Sequence, residues 1–278
     1  MAEGLSLHLG LNRLDRSHYG GLGGAEEGGW EGVLVACEQD AIDLQAIASA
    51  QGFTTSTLLT EAATVEAVTR AVREGAASLS DGDMFVMTFA SYGGEVPDRN
   101  SDERWRERTW ALYDRQMPED EVMSLLASFR PNVRVLVIDD SSAAGTMRRD
   151  ALSFVDLALD ADVPSVRALP ADVAIETYRS HSGLYDEIQR SCTSSPEAVI
   201  RAAVVIIASC MANQLAADGT RNGLFTETLR RVWRDGQFEG DYKRFVKEVV
   251  GLMPPTQSPQ LTERGSGEPF IRERPFTI

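Results

Sequence analysis

The chain has 278 residues, 43% of them hydrophobic, enough for a sizeable buried core. Its 27 Lys and Arg against 42 Asp and Glu leave a formal net charge of −15, which repels phosphate backbones and argues against a nucleic-acid partner, while basic peptides suit it. No apolar run approaches the roughly 18–20 residues that cross a bilayer as a helix, so no membrane is expected. The segment Met1-Ala2-Glu3-Gly4 lacks a basic leader. Cys37, Cys192 and Cys210 are odd in number and without metal-ligand spacing. Both features suit a reducing, cytoplasmic setting.

In chain order, the alternating residues 5–11 predict a first strand. A Gly-rich stretch from Gly20 to Gly32 holds too little apolar content for a regular element. Apolar residues at Ala41, Leu44, Ile47 and Ala48 predict a helix over 37–51, closed by Gly52, and a second strand follows over 53–59. A second helix is expected over 65–79. Asp81-Gly82-Asp83 then turns the chain into an apolar strand, 84–89, that ends at Ser91-Tyr92-Gly93-Gly94. Residues 97–107 are densely charged and predict a solvated loop or hairpin. Trp110 to Asp114 reads as a short strand, 119–129 as a helix and 133–138 as a buried strand, which runs into Asp139-Asp140-Ser141-Ser142-Ala143-Ala144-Gly145-Thr146.

A mixed, partly polar segment leads to about residue 195. A continuous apolar strand follows over 202–208, then amphipathic helices over 223–232 and 242–250, the last ended by Pro254-Pro255. Pro259, Pro269 and Pro275 predict an extended surface tail. Apolar strands alternating with helices argue for an α/β fold with a largely parallel sheet covered on both faces.

The two strand ends resemble the catalytic loops of the bacterial metacaspases (orthocaspases), a caspase-like cysteine-peptidase family. There the first run ends Ser-Gly-His-Gly-Gly and the second Ser-Asp-Ser-Cys-His-Ser-Gly-Thr. On that pattern Tyr92 stands where the general-base histidine would be, and Ser142 stands at the nucleophilic cysteine. Ala143 and Ala144 replace the histidine and serine that follow it. Further motifs share the family's order: His18-Tyr19-Gly20-Gly21, Cys37-Glu38-Gln39-Asp40-Ala41, Asp98 to Glu103, Ala208-Ser209-Cys210, Asn222 to Thr226, Met253 to Gln257 and Pro275 to Ile278.

The resemblance implies a caspase-like three-layer sandwich: a six-stranded, mostly parallel sheet with helices on both faces. It implies one domain over 1–278, with a large-subunit-like half to about residue 150, a connecting segment 147–195 and a small-subunit-like half 196–278. It also implies a pocket for Arg or Lys floored by Asp40 and Asp140, and an oxyanion donor at the Gly93 N–H.

The chemistry expected at the dyad positions is poor. A thiol is partly ionised near neutrality and a neighbouring imidazole both raises that fraction and protonates the leaving amine. Ser142 offers an alcohol, and Tyr92 a phenol of reference pKa about 10 that accepts a proton badly. Loss of nucleophile or base alone costs a serine protease on the order of 10⁶ in kcat. The expectation is a catalytically inactive homologue that binds or regulates. Its partner would be a basic peptide or protein segment, or an active caspase-like relative. The alternative is residual hydrolysis after Arg or Lys through Ser142.

His181 reads as a surface-loop residue and His8 as a satisfied strand residue. No cofactor is expected. A calcium site at Asp98, Asp102 and Glu103 is disfavoured by the intervening arginines. Arg148-Arg149 is a candidate site for cutting by an active relative.

Overall fold

The computed structural model describes residues 2–20, 29–99, 106–143, 165–192 and 200–278. Six strands form the main sheet: β1 (Gly4–Gly10), β2 (Thr54–Leu59), β3 (Met84–Ala90), β7 (Arg134–Asp140), β8 (Ala203–Ala208) and β9 (Gln260–Gly265). Their order is β2-β1-β3-β7-β8-β9, and only β9 runs antiparallel to its neighbour. Strands from both halves of the sequence therefore share one sheet.

The pattern of side chains explains the layers. β3 is buried at every position, as a parallel strand covered on both faces must be. Alternate residues then point to opposite sides. Phe85, Met87, Phe89, Val135 and Val137 join the core packed with α2 (Val65–Ser78) and α3 (Glu119–Leu126). Met84, Val86, Leu136 and Ile138 join the other core, with α1 (Cys37–Ala50), α6 (Leu224–Trp233) and α7 (Tyr242–Leu252). Thr64 starts α2 by accepting a hydrogen bond from the Ala67 N–H at 3.2 Å, a side-chain N-cap.

Several expectations change. The ends of the charged stretch, Pro97 and Arg106-Glu107, pair as the hairpin that was one of the two expected forms: β4 (Gly93–Pro97), β5 (Arg106–Ala111) and β6 (Gln116–Pro118) form a separate antiparallel sheet. Glu107 within it is buried, accepting from the Asp120 N–H and Gln189 Nε2, each at 2.6 Å. The connecting segment holds two helices that polarity concealed, α4 (Ala171–Ser180) and α5 (Ser182–Ser191). His181 lies at their junction, half-buried and stacked on His18 at 4.1 Å, rather than in a surface loop.

The tail is an extended, partly exposed edge strand only over 260–265, and turns inward after it. Its prolines leave 260–265 free to pair as β9, and Pro269 falls in the first turn of α8 (Gly267–Phe270), where a missing N–H is tolerated. Phe270 then stacks edge-on to Tyr242, and Phe276 to Trp233, both phenylalanines fully buried.

Candidate functional site

β3 and β7 are neighbours in register, with Ala90 opposite Asp140 at their C-terminal ends. The chain leaves both strands there side by side, at the edge where α/β sheets carry their ligands. Tyr92 and Ser142 each follow two residues later, and both are buried, at 5% and 0% exposure. They are not paired with each other. The Tyr92 hydroxyl faces the Val33 N–H, and its ring meets Trp30 edge-on at 4.9 Å. Burial pushes its phenol well above the ordinary value, so it holds its proton. Ser142 Oγ donates to the main-chain oxygen of Arg167 at 3.1 Å.

That oxygen is the centre of the site. The Gly93 N–H and the Ser142 N–H both donate to it at 3.0 Å. Gly93 itself is dictated by crowding: a Cβ there would lie 2.5 Å from the Ser142 carbonyl oxygen.

Asp40 and Asp140 converge, and what they converge on is the Arg167 guanidinium. Nη2 donates to Asp40 Oδ2 at 2.5 Å, and Nη1 donates to Asp140 Oδ2 at 2.7 Å. A third carboxylate completes the shell: Asp218 Oδ1 accepts from Nη2 at 2.9 Å and from Nε at 3.3 Å. Nη1 makes its second bond to the Asp140 carbonyl at 3.3 Å. All five guanidinium N–H donors are thereby used. Arg167 is fully enclosed, and the pocket is filled from within rather than open to solvent.

The carboxylates are themselves oriented. Asp40 stands in the first turn of α1 and accepts from Asn222 Nδ2 and from the Gly223 N–H at the start of α6. Asp140 accepts from Thr226 Oγ1 at 2.9 Å, and Asp218 from the Val35 N–H at 2.7 Å. Three carboxylates face one cation out of water. Burial, with the charge of Asp140 adding to it, raises Asp40 against the pull of Arg167, and burial also raises Asp140. Asp140 Oδ1 has no hydrogen-bond partner.

The three histidines and Cys210 are engaged in other contacts. His8 is buried in β1 between Thr88 Oγ1 and Ser6 Oγ, as expected of a satisfied strand residue, and burial lowers it to about 3. His18 and His181 are stacked on each other, and His181 Nδ1 lies 3.0 Å from the Thr177 carbonyl. Cys210 Sγ donates to the Ser141 carbonyl at 3.7 Å, and burial pushes its thiol up to about 12. Among the described residues no group of three or more His, Cys, Asp or Glu is arranged to hold a metal ion. Asp102 and Glu103 of the suggested calcium site lie outside the described residues, as do Ala144 and Arg148-Arg149.

A model of the caspase domain matches residues 18–271. The chain belongs to the caspase family. Protein GSU0716 from Geobacter sulfurreducens, a solved structure, is similar to this caspase domain at 38% identity over 99% of each chain, with a TM-score of 0.88. Caspase-1 from Spodoptera frugiperda matches at 11% identity over 94% of this chain and 86% of its own, with a TM-score of 0.49. No curated protein matches. No helix among the described residues is long and apolar enough to cross a membrane.

Sequence reasoning missed Arg167, Asp218, Asn222 and Thr226. One signal for Arg167 was present. Ser165-Val166-Arg167-Ala168 sets this arginine among small and β-branched residues.

Proposed function

We propose that this caspase domain does not hydrolyse peptide bonds and acts by binding, with Asp40 and Asp140 forming a recognition pocket for arginine- or lysine-bearing segments. The partner is a basic segment of another protein, an active caspase-like relative among the candidates, in the cytoplasm. Carboxylates and backbone donors make such recognition without a cofactor.

One observation carries the reading: Ser142 Oγ donates its hydrogen bond to a carbonyl, and the phenol that replaces the base is buried and held neutral. An alcohol with no base beside it is a poor nucleophile. The Gly93 and Ser142 N–H groups alone stabilise an oxyanion that nothing here generates.

Turnover of a fluorogenic peptide with Arg or Lys before the reporter tests it. Wild type and Ser142→Ala are expected to give the same background rate. Cleavage by wild type that Ser142→Ala abolishes sinks the reading and favours a Ser142 hydrolase instead.

A further inference from the structure

We propose that the cleft binds an extended, arginine-bearing peptide in one defined orientation, and that residues 165–169 of the same chain are its resident occupant, which an outside peptide must displace. The proposal deepens the arginine-binding reading above and rests on it.

The main chain of this strap is held as a strand between two edges. On one side the Arg167 N–H donates to the Ala216 carbonyl at 2.9 Å and the Asp218 N–H donates to the Ser165 carbonyl at 2.7 Å, an antiparallel pairing centred on Val166 and Ala217. On the other side Ala168 bridges Gly93 in parallel sense, and the Leu169 N–H donates to the Gly93 carbonyl at 2.7 Å. Between these, the Arg167 carbonyl fills the cradle made by Gly93 and Ser142. Adding a strand to exposed edges is a general mode of peptide recognition, with affinity from the main chain and specificity from alternate side chains.

Here the alternation is plain: Ser165 is exposed, Val166 and Ala168 are half-buried, and Arg167 is enclosed. A purely structural ion pair would need the guanidinium seated, but not the flanking backbone paired on both edges and the carbonyl cradled.

The pocket also discriminates. Three carboxylates and a carbonyl take five N–H donors in a planar fork, whereas lysine has three donors on one point charge. Gly223 lets the fork approach, since a Cβ there would lie 2.5 Å from Nη2.

The tether gives the strap an effective concentration on the order of millimolar, so wild type should resist micromolar ligands. The probe is acetyl-Ser-Val-Arg-amide, with the citrulline peptide as uncharged control, measured by calorimetry. Arg167→Ala is expected to bind the arginyl peptide at least about 100-fold more tightly than wild type does, and to ignore the citrulline one. A folded Arg167→Ala that binds neither, or wild type binding as tightly as the variant, overturns the proposal. Should Arg167→Ala not fold, Arg167→Lys keeps a charge in the pocket, and a folded Arg167→Lys must bind the arginyl peptide more tightly than wild type; no gain overturns it.

Hydrogen exchange on wild type reads the strap directly. Amides of Gly93, Ser142, Arg167 and Leu169 should be protected together, and free exchange at Arg167 and Leu169 overturns residence. Peptide cleavage by any of these proteins would sink the inactive reading while leaving the strap intact, so the two failures are distinguishable.

Discussion

The two sides of this cleft have fared differently. On the side proposed for recognition every donor of Arg167 has an acceptor, and each carboxylate is positioned by further groups from Asn222 and Gly223, from Thr226 of α6 or from the Val35 backbone. Two residues further along the same strand ends, Ser142 Oγ donates to a carbonyl and burial keeps the Tyr92 phenol protonated, which on the proposed reading leaves the chemical side without a base. Binding a cation needs fixed acceptors, while attack on a carbonyl needs a proton acceptor of matched pKa. One demand can be kept when the other is dropped, because different side chains carry them.

The largest effect expected is on the recognition side. Asp140→Ala removes the acceptor of Nη1 and of Thr226 Oγ1, leaving a buried charge short of a partner. Breaking a buried pair from one side costs about 3–5 kcal/mol. Urea unfolding should show that loss. A change below about 1 kcal/mol would mean the guanidinium relaxes toward Asp218 and Asp40 alone.

The pH dependence of stability comes next. Burial raises Asp40 from 3.8 to about 7 and Glu107 from 4.5 to about 8. Each folded carboxyl keeps a proton that the unfolded chain has already lost, so its contribution is full below the unfolded value and lost as pH rises through the folded one. The melting temperature should therefore fall as pH climbs from 6.5 toward about 8. Below about 6.5 the trend is opposed, because His8, depressed to about 3, protonates more readily when unfolded. Glu107→Gln should flatten the alkaline limb, and an unchanged slope would remove Glu107 from the account.

How much of this was legible follows from what each feature depends on. Asp40, Tyr92, Gly93, Asp140 and Ser142 were singled out through the resemblance to the metacaspases, whose motifs stand at fixed offsets from strand ends and a helix start. The sheet was legible for the same reason. Arg167 was not, because its role is set by chain reversal: it lies 127 positions from Asp40 and 51 from Asp218. The helices of 171–191 hid behind polarity, being amphipathic elements packed on the small β4–β6 sheet. The tail misled because proline content suggested exposure, while Phe270 and Phe276 carried the burial.

A smaller effect tests the fit of the pocket. Gly223→Ala brings a methyl against Nη2 and should cost about 1–3 kcal/mol as overpacking. Its loss in wild type should shrink in an Arg167→Ala background, since the atom it meets is gone. Equal losses in both backgrounds would place the strain in the start of α6 instead.

The smallest effects belong to the positions where catalysis would reside. Ser142→Ala removes one of three donors to the Arg167 carbonyl and leaves the two N–H bonds in place. Tyr92→Phe removes the hydroxyl that faces the Val33 N–H but keeps the ring against Trp30. Net hydrogen-bond contributions are about 0.5–1.5 kcal/mol, so each variant should unfold within that range of wild type. Together they should add, because neither side chain bonds the other. A coupling well above about 0.5 kcal/mol in the double variant would reveal a Tyr92–Ser142 interaction and with it a remnant of the dyad. Simple additivity would leave the contrast as it stands, a recognition side intolerant of change beside a chemical side that tolerates it.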